Sequence, residues 1–545
     1  MFRQNTEHLQ QGLFNNLYVM DSRLAEKLKK SWAAIFYEHV FCKIDESLFA
    51  PLYCSDNGRP NFPVNILMGL ELIKEIRGYT DEVLLEEYAY NYQISYALGL
   101  RTLGERYFAP RTLYEFRARL YNYSLEHPEE ADLIFTQFEK LTSHFIEIAG
   151  LNTDEARMDS TQIMSNIKLA GRLSLAYDVL VNGIKCLPEN MLNEALKIFL
   201  KSDYKIQFLY KLKDKDTLSR IQGLIDYCAE VLELVQGQPE LKENPALQLI
   251  ERFLTEQATF SKEQNRWIAK DSKDISPKSL QSAYDPDATY RNKNGQKHVG
   301  YVLNLTETCA DENPVQMVTH YDLAPNTTSD IELLKEDLPE LKEKGVKHLY
   351  TDGAYYSSDL KEEAGTQGIE IHYTDMTGRK KSSEKLPYNA FEIKNQEKII
   401  RCPAGQEPIR AEFNKKDKTL SAHFKREICD KCPLKDNCRV KFQKKDTVIR
   451  VNQKTLAAEE TRQKIQEERL EATSKRAAIE GTNSSLKRAQ GIGKLSVRGI
   501  IKSNLVIGKK LIAHNFRQLT RFLNGNIRKK VKESLKLGQG IPVTI

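Results

Sequence analysis

Residues 297–375 constrain the fold most strongly, because segments typical of strands and of helices alternate along them. KHVGYVLNLTET and VQMVTHYDLA are typical of paired strands, and ELLKEDLPELKEKG is typical of a helix. A strand VKHLYTD, a helix SSDLKEEAGTQ and a strand IEIHYTD follow. This alternation predicts an α/β fold built on a sheet.

Two further parts of the chain have the residue spacing of helices. Residues 1–150 contain stretches such as VNILMGLELIKEIRGYT, and a capping box formed by Thr112 and Glu115 is expected to open a helix there. From residue 170 to about 268 the chain is leucine-rich, again with helical spacing. The sequence therefore predicts a helical N-terminal region and a second helical block ahead of the sheet-forming segment.

Composition excludes several classes of protein. The chain has 545 residues, enough for roughly three to five domains, and its 40% apolar and 29% charged residues argue against wholesale disorder. No apolar run reaches the about 18 residues of a membrane span, and MFRQNTEHLQQ lacks the apolar core of a signal peptide. We therefore expect a cytoplasmic protein without a membrane partner.

Positive charge is concentrated in the last part of the sequence. The formal net charge is +6, whereas residues 481–545 contain 14 Lys or Arg residues and a single acid, Glu533. A segment of one sign suits a polyanionic partner, and the alternative is a solvated basic helix face. Apolar residues recur through the segment at near-helical spacing, so we expect it to be folded as well as basic.

Four of the nine cysteines, Cys402, Cys429, Cys432 and Cys438, form the pattern C-x26-C-x2-C-x5-C. Because so few cysteines disfavour a disulfide framework, this pattern predicts a tetrahedral Zn²⁺ site. The alternatives are free thiols in a small core and, less favoured, an iron–sulfur cluster. The ten histidines form no H-x3-H or H-E-x2-H pattern, which disfavours a histidine-zinc hydrolase.

Two aspartates lie where strands are expected to end. Asp159 occurs in ARMDSTQIMSN and Asp352 in HLYTDGAYYS, and carboxylates at strand ends point into the crevices of an α/β sheet. Single aspartates at such positions are also common as caps and turn formers, so both interpretations stay open at this point.

A third acid, Glu480, lies on a predicted helix with an unusual polar face. At about 100° per residue, Arg476, Glu480, Asn483 and Lys487 fall within about 60° of one another. One helix face thus presents two cations, a carboxylate and an amide, which suits a metal ion and a phosphate together. The simpler alternative is an ordinary i, i+4 ion pair between Arg476 and Glu480.

At these residues the sequence resembles a known family. The resemblance is to the DDE transposases of bacterial insertion sequences with a Y-x2-R-x3-E-x6-K signature, in particular insertion sequence family 1182. It covers nearly the whole chain, including the N-terminal stretch from GRPNFPVN to ALGL. The matching motifs are MDSTQIMSN around Asp159, TDGAYYS around Asp352, and R-x3-E-x6-K at Arg476, Glu480 and Lys487. Where the signature has tyrosine, this chain has Thr473.

The resemblance implies a ribonuclease-H-like catalytic core, with Asp159 on the first strand, Asp352 on the fourth and Glu480 on a later helix. It also implies four regions: a helical N-terminal DNA-binding domain (1–150), the first part of the core with a helical insertion at about 170–270 (151–375), a cysteine-rich zinc-binding insertion (376–450), and the core helix with Glu480 followed by a basic helical region (451–545).

The resemblance further implies two-metal chemistry on DNA. Asp159 would bridge two Mg²⁺ or Mn²⁺ ions, and Asp352 and Glu480 would each hold one of them, while a structural Zn²⁺ would occupy the cysteine site. The residues expected to bind DNA phosphates are Arg476, Asn483 and Lys487.

The implied function is transposition. The protein would bind the terminal inverted repeats of its insertion sequence, as a homodimer on double-stranded DNA, and would be associated with the nucleoid. It would cleave phosphodiester bonds and join the 3′ ends to target DNA. Two alternatives stay open: a domesticated, catalytically inactive DNA-binding protein, and a metal-dependent nuclease without strand transfer.

Overall fold

The structure, a computed structural model, describes residues 1–10, 15–130, 132–168, 171–209, 214–293, 295–376, 385–395 and 397–536. For residues 214–216, 469 and 526–536 it describes the backbone alone. Helices and strands are both abundant, so the predicted α/β class is confirmed. None of the described helices combines the length and the hydropathy needed to cross a membrane.

The first 150 residues are helical, as their spacing predicts. Their helices are α1 (Asn16–Val19), α2 (Ser22–Lys29), α3 (Trp32–His39), α4 (Val64–Arg77), α5 (Asp81–Tyr90), α6 (Tyr92–Ala97), α7 (Pro110–Glu126) and α8 (Leu133–Ala149). Helix α7 begins at Pro110, a residue favoured at the first helical position, and its N-cap is Ala109. The capping box predicted at Thr112 is therefore wrong, because Thr112 already lies inside the first turn.

Strand β1 (Glu155–Met164) is followed by a helical block with a hydrophobic core of its own. The block contains α9 (Arg172–Ile184), α10 (Glu194–Lys197), α11 (Tyr204–Leu209), α12 (Asp214–Leu234), α13 (Pro239–Lys242) and α14 (Pro245–Gln257). The prediction that helix continues to about residue 268 is wrong, because a hairpin of β2 (Ala258–Ser261) and β3 (Arg266–Ala269) ends the block. Phe260 and Trp267 pair across this hairpin, and such aromatic pairs stabilise antiparallel strands.

A strand that the sequence did not predict, β4 (Thr289–Lys293), comes next in the main sheet. The elements after it appear in the order predicted for residues 297–375: β5 (Gln296–Thr308), β6 (Val318–Pro325), α15 (Asp330–Glu343), β7 (His348–Thr351), α16 (Ser358–Thr366) and β8 (Glu370–Tyr373). The strand order is β4-β5-β1-β7-β8, with β6 also paired to β5. Strand β1 is antiparallel to β5 and parallel to β7, and therefore lies in the middle of the sheet.

A smaller β-structure contains the four cysteines of the predicted zinc site. Its elements are β9 (Glu392–Lys394), β10 (Lys398–Arg401), β11 (Arg410–Asn414), β12 (Thr419–Lys425), α17 (Arg426–Asp430), β13 (Lys441–Phe442) and β14 (Asp446–Asn452). Buried side chains such as Phe391, Leu420 and Ile449 form a separate core here. Residues 377–384 of the predicted cysteine-rich insertion lie outside the described residues.

Two helices of 37 residues each, α18 (Gln453–Ala489) and α19 (Ile500–Lys536), complete the described chain. Helix α18 packs against β1, β7 and β8 of the main sheet. Successive residues of β1 face opposite sides of the sheet. Arg157 faces α18 and donates to the carbonyl of Lys475, whereas Met158 packs on the α15 side with Leu334. Strand alternation thus decides which side chains of β1 meet α18.

Helix α19 completes the core of the N-terminal region. Its buried side chains Leu511, Phe516 and Leu519 belong to the hydrophobic cluster that also contains residues of α3, α4 and α8. Residues of the main sheet, including Leu303 of β5, join the same cluster. The N-terminal region and α19 therefore share one hydrophobic core, although the sequence-based division assigns them to different domains.

Several basic side chains of α19 pair inside the protein. Lys510 Nζ lies 2.5 Å from Glu75 Oε2, Arg517 Nη2 donates to the carbonyl of Ile76 at 2.5 Å, and Lys509 pairs with Glu71. These three side chains therefore have partners within the protein, and contact between the basic segment and a polyanion stays a prediction. The segment is helical at residues 481–489 and over α19 (Ile500–Lys536), whereas residues 490–499 between the two helices are not, and residues 537–545 lie outside the described residues.

Glu71 is the centre of a buried ionic cluster between α4, α7 and α19. Its side chain is 1% exposed and pairs with Lys509 and with Arg117, whose Nη2 lies 2.6 Å from Glu71 Oε1. Burial alone would raise the pKa of Glu71, but the charges of Lys509 and Arg117 outweigh burial and lower this pKa to about 2. The Glu71 carboxylate therefore ties α19 to the N-terminal helices.

We expect Glu71→Gln to lower the free energy of unfolding of the N-terminal region by about 3–5 kcal/mol, because it leaves buried positive charge without its partner. Urea unfolding followed by circular dichroism measures this change. Glu115→Gln is the matched control, since Glu115 forms an exposed i, i+4 pair with Arg111 and its loss should cost about 0.5 kcal/mol or less. Equal effects of the two substitutions would contradict a structural role for Glu71.

The same carboxylate gives a pH dependence whose sign follows from its lowered pKa. The folded-state pKa of about 2 lies below the ordinary 4.5, so the stabilisation is complete above about pH 4.5 and is lost as the pH falls toward 2. Urea midpoints of wild type and Glu71→Gln should therefore differ at neutral pH and converge below about pH 4.5. A difference that stays constant down to pH 3 would contradict this assignment.

Candidate active site

The three predicted acids come from three different elements and face one cleft. Asp352 directly follows β7 and Glu480 lies on α18, whereas Asp159 lies within β1 (Glu155–Met164). The expectation that Asp159 ends a strand is therefore wrong, because the strand continues to Met164 in register with β5. The cleft has a volume of about 700 Å³. All six residues predicted for the acid and phosphate site line this cleft. Its full lining is Asp159, Ser160, Thr161, Arg291, Lys293, Asp330, Asp352, Ala354, Arg476, Glu480, Asn483, Ser484, Lys487 and Arg488. Neighbouring parallel strands thus deliver two of the acids, and the helix packed on them delivers the third.

Arg476 connects the three carboxylates. Its Nη2 lies 3.2 Å from Asp159 Oδ1 and 3.8 Å from Asp352 Oδ2. Its Nη1 lies 2.5 Å from Glu480 Oε1, which is the i, i+4 pair expected from the helix spacing. The Glu480 side chain is 61% exposed, whereas those of Asp159 and Arg476 are 13% and 18% exposed. One guanidinium therefore supplies positive charge to all three acids.

Asn483 makes a second contact from α18 to Asp159. Its Nδ2 donates to Asp159 Oδ2 at 2.9 Å. Within the described part of the chain, the buried atoms Asn483 Oδ1 and Arg476 Nε have no hydrogen-bond partner. Since buried polar atoms are nearly always paired in native proteins, these two atoms point to a ligand that completes the site.

Burial sets the electrostatics of the cleft. It raises the pKa of Asp159, an effect that the charge of Arg476 offsets only in part. Burial likewise raises the pKa of Asp352 against the hydrogen bond from the Ala354 N–H. For Lys487, burial and the nearby charge of Lys293 lower the pKa. Asp159 and Asp352 therefore lack sufficient positive charge, and Lys487 lacks negative charge, which suits added cations together with a polyanion.

A glycine holds Asp352 at the end of β7. Asp352 Oδ1 accepts from the Ala354 N–H at 2.9 Å, and the Gly353 N–H donates to Asp375 Oδ1 at 2.7 Å. A Cβ on Gly353 would lie 2.7 Å from the backbone oxygen of Asp375, closer than real Cβ contacts. Only glycine therefore allows this close approach of two chain segments, which fixes where Asp352 points.

The position of α18 depends on a buried ion pair beneath the cleft. Arg157 Nη2 lies 2.6 Å from Glu307 Oε2, and the two side chains are 9% and 2% exposed. Thr482 of α18 donates to Glu307 Oε1 at 2.8 Å, and the Lys475 carbonyl accepts from Arg157 at 3.2 Å. Because these contacts fix the rotation of α18, they determine which of its residues face Asp159.

The sequence did not identify eight other residues of the cleft, of which four are charged: Arg291, Lys293, Asp330 and Arg488. Asp330 begins α15 and accepts from Ser160 Oγ at 2.5 Å, and Arg291 and Lys293 come from β4. A charged residue at a helix start or in a hairpin is too common to single out, so no local signal distinguished them. Thr473, which replaces the signature tyrosine, is exposed on α18 and does not line the cleft.

The donor set of the cleft fits Mg²⁺ or Mn²⁺, because carboxylate and amide oxygens are the ligands these ions prefer. The ligand oxygens of the three acids do not all lie within 4.8 Å of one another. The Arg476 guanidinium, which pairs with all three, explains this wider spacing. A metal ion would therefore compete with Arg476 for the carboxylates.

The four cysteines of the predicted zinc site line one small cavity, together with apolar residues such as Leu386 and Phe424. Thr447 Oγ1 donates to Cys429 Sγ at 3.1 Å. Four sulfur donors fit Zn²⁺. The structure thus places all four predicted ligands around one cavity. Their sulfur atoms do not, however, all lie within 4.8 Å of one another.

Comparison with protein families gives two matches. A family described as "Transposase DDE domain" matches residues 401–520, which include the four cysteines and Glu480 but neither Asp159 nor Asp352. A family described as "Transposase domain (DUF772)" matches residues 25–119, which run from within α2 to within α7. No curated protein and no solved structure matches the chain. Together, the two family matches support a DDE transposase of an insertion sequence.

Proposed function

We propose that this transposase binds the terminal inverted repeats of its insertion sequence, cleaves DNA phosphodiester bonds by two-metal-ion chemistry and joins the 3′ ends to target DNA. The observation that supports this most directly is the convergence of Asp159, Asp352 and Glu480 on one cleft around Arg476. The acids come from segments far apart in sequence, so this convergence is not a local effect of spacing.

We further propose that the main sheet is a ribonuclease-H-like core. The strand pairing supports this assignment. In the order β6-β5-β1-β7-β8, the pairs β6–β5 and β5–β1 are antiparallel, and the pairs β1–β7 and β7–β8 are parallel. Asp159 is then on the first core strand and Asp352 follows the fourth. The helical block between β1 and β4 and the cysteine-rich region between β8 and α18 are insertions into this core.

In the proposed mechanism, Asp159, Asp352 and Glu480 hold two Mg²⁺ or Mn²⁺ ions. When bound, the ions would supply an activated water and stabilise the departing 3′ oxygen. Arg476 pairs with all three acids, so the ions would displace it from the carboxylate oxygens that they bind. The Asn483 amide holds Asp159 through its Nδ2 and presents an Oδ1 without a hydrogen-bond partner among the described residues.

The cations around the acids would bind the DNA backbone. Lys487, on the same face of α18, and Lys293 and Arg291, from β4, also line the cleft, and Lys293 is close enough to lower the pKa of Lys487. Phosphates in the cleft would meet positive charge from both elements, and Arg476 could add a planar, two-pronged contact. We propose double-stranded DNA as the partner, a homodimer as the active form because two ends are processed, and membership of insertion sequence family 1182.

Glu480→Gln should leave the fold and DNA binding intact and reduce cleavage about a thousandfold. If a metal ion held by this carboxylate supplies about 4 kcal/mol of transition-state stabilisation, its loss has this size. The measurement is end cleavage and strand transfer of DNA carrying the element's termini, in Mg²⁺, with binding followed in parallel. Glu467→Gln, an exposed glutamate on the same helix, is the matched control and should cut at the wild-type rate.

The outcomes of this experiment separate the three functions. Cleavage at the wild-type rate by Glu480→Gln would exclude Glu480 from the site. Wild-type protein that binds the termini but never cuts them would favour the domesticated DNA-binding protein. Cleavage without strand transfer, by wild type but not by Glu480→Gln, would favour the nuclease.

The cysteine cavity leads to a separate prediction. We propose that Cys402, Cys429, Cys432 and Cys438 bind one structural Zn²⁺, so Cys432→Ser should lose one zinc per chain and lower the unfolding temperature. Metal analysis and thermal unfolding of protein purified without chelator measure both effects. Cys186→Ser, at a cysteine outside this cavity, should change neither. An unchanged zinc content in Cys432→Ser would exclude the site.

A further inference from the structure

A second cluster of metal-ligand side chains lies on the main sheet beneath the N-terminal half of α18. His348 of β7 is the register partner of Glu370 of β8, and Tyr350 is that of His372. Because residues two apart on a strand face the same side, all four side chains lie on one face of the sheet. This is the face against which α18 packs.

Three ligand atoms of this cluster converge on one point. His348 Nδ1 lies 3.1 Å from His372 Nε2 and 3.4 Å from Glu370 Oε2, and His372 Nε2 lies 3.8 Å from the same oxygen. Ligands about 2.0–2.1 Å from a tetrahedral zinc ion are separated by about 3.3 Å. The three distances therefore match the edges of a zinc coordination polyhedron before any ion is added.

The hydrogen bonds around the cluster orient the His372 lone pair as a metal requires, whereas His348 Nδ1 donates to His372 Nε2 and would have to give up this proton to an ion. His372 Nδ1 donates to Glu468 Oε2 of α18 at 2.9 Å, so the lone pair of the neutral ring is on Nε2, which faces His348 and Glu370. Metal-bound histidines are usually held in this way by a carboxylate on their other nitrogen. Lys464 pairs with Glu370 Oε1, which leaves Oε2 to face the two imidazoles.

The cluster is open on one side. A cavity of about 270 Å³ next to it is lined by Glu155, His348, Tyr350, His372, Glu468, Glu471 and Ala472. A fourth ligand, such as water, could therefore complete a tetrahedron. The other such group among the described residues, Glu139, His320 and Glu340, differs because Lys344 Nζ lies 2.7 Å and 2.6 Å from both of its carboxylates, whereas Lys464 pairs with Glu370 Oε1 and not with the proposed ligand atom Oε2.

We propose that His348 Nδ1, His372 Nε2 and Glu370 Oε2 bind one Zn²⁺ ion, with a solvent molecule as fourth ligand. Two imidazoles and one carboxylate suit zinc rather than Mg²⁺, which prefers oxygen ligands alone. The ion would join β7, whose end positions Asp352, to β8, and through Glu468 to α18. The site is independent of both the acid cleft and the cysteine cavity, and it does not depend on the transposase assignment.

The first test uses His372→Gln in the full-length protein. Chelator-treated protein is reloaded with Zn²⁺, freed of excess metal and analysed for zinc per chain; we expect the variant to hold one zinc fewer than wild type. His144→Gln is the matched control, because His144 Nε2 lies 3.3 Å from His39 Nδ1 but this pair belongs to no three-ligand group among the described residues. Equal zinc content in His372→Gln and wild type would overturn the proposal.

A second pair of variants tests the site without removing a ligand. Glu468→Gln should weaken zinc binding about 10–100-fold, the usual cost of losing the carboxylate that orients a metal-bound histidine. Glu467→Gln alters the exposed neighbour on the same helix and should leave the affinity unchanged. Should His372→Gln fail to fold, this pair decides the question, and equal zinc affinities of the two variants would overturn the proposal.

Cobalt distinguishes this site from the cysteine cavity. Co²⁺ bound to thiolates has a thiolate-to-metal charge-transfer band, which a histidine-carboxylate site lacks. We expect Cys432→Ser to lose this band but retain one bound Co²⁺, and His372→Gln to retain the band but bind one Co²⁺ fewer. If Cys432→Ser, still folded, binds no Co²⁺ at all, the histidine site is excluded.

Discussion

The buried ion pair between Arg157 and Glu307 is the interaction on which the cleft depends. Its partners lie opposite each other on β1 and β5, and both also bind α18, through the Lys475 carbonyl and the Thr482 hydroxyl. Loss of one member of such a pair leaves a buried charge uncompensated and typically costs about 3–5 kcal/mol. The pair thus fixes the sheet and the helix to each other, and with them the distance between Asp159 on the strand and the helix face opposite it.

Much of this arrangement could be predicted from local sequence patterns. The change from helical spacing to strand–helix alternation gave the order of the elements from residue 297 to 375, and the 3.6-residue repeat placed Arg476, Glu480 and Asn483 on one face of α18. The two aspartates were recognisable because polar residues and a glycine follow apolar strand residues. Each of these inferences needed only a window of about ten residues, in which the periodicity of a single element is visible.

The rest depends on which segments become neighbours, and no local pattern encodes that. Lys509 pairs with Glu71, which lies 438 positions earlier in the chain. The local sequence therefore could not show that this basic side chain is paired inside the protein. His348, Glu370 and His372 form no zinc motif, because a parallel register rather than spacing along one helix brings them together. Arg291 and Lys293 reach the cleft only because β4 pairs with β5 beside β1.

Helix α19 has a consequence for how the protein is made. Its apolar side chains complete the core around α3, α4 and α8, yet the ribosome synthesises the helix about 350 residues after α8. At about 5–20 residues per second, the N-terminal helices would wait about 20–70 s for this partner. During translation they would expose apolar surface, and a product truncated before residue 500 would lack this part of the core. We therefore expect stable protein to accumulate only from messages that are translated through α19.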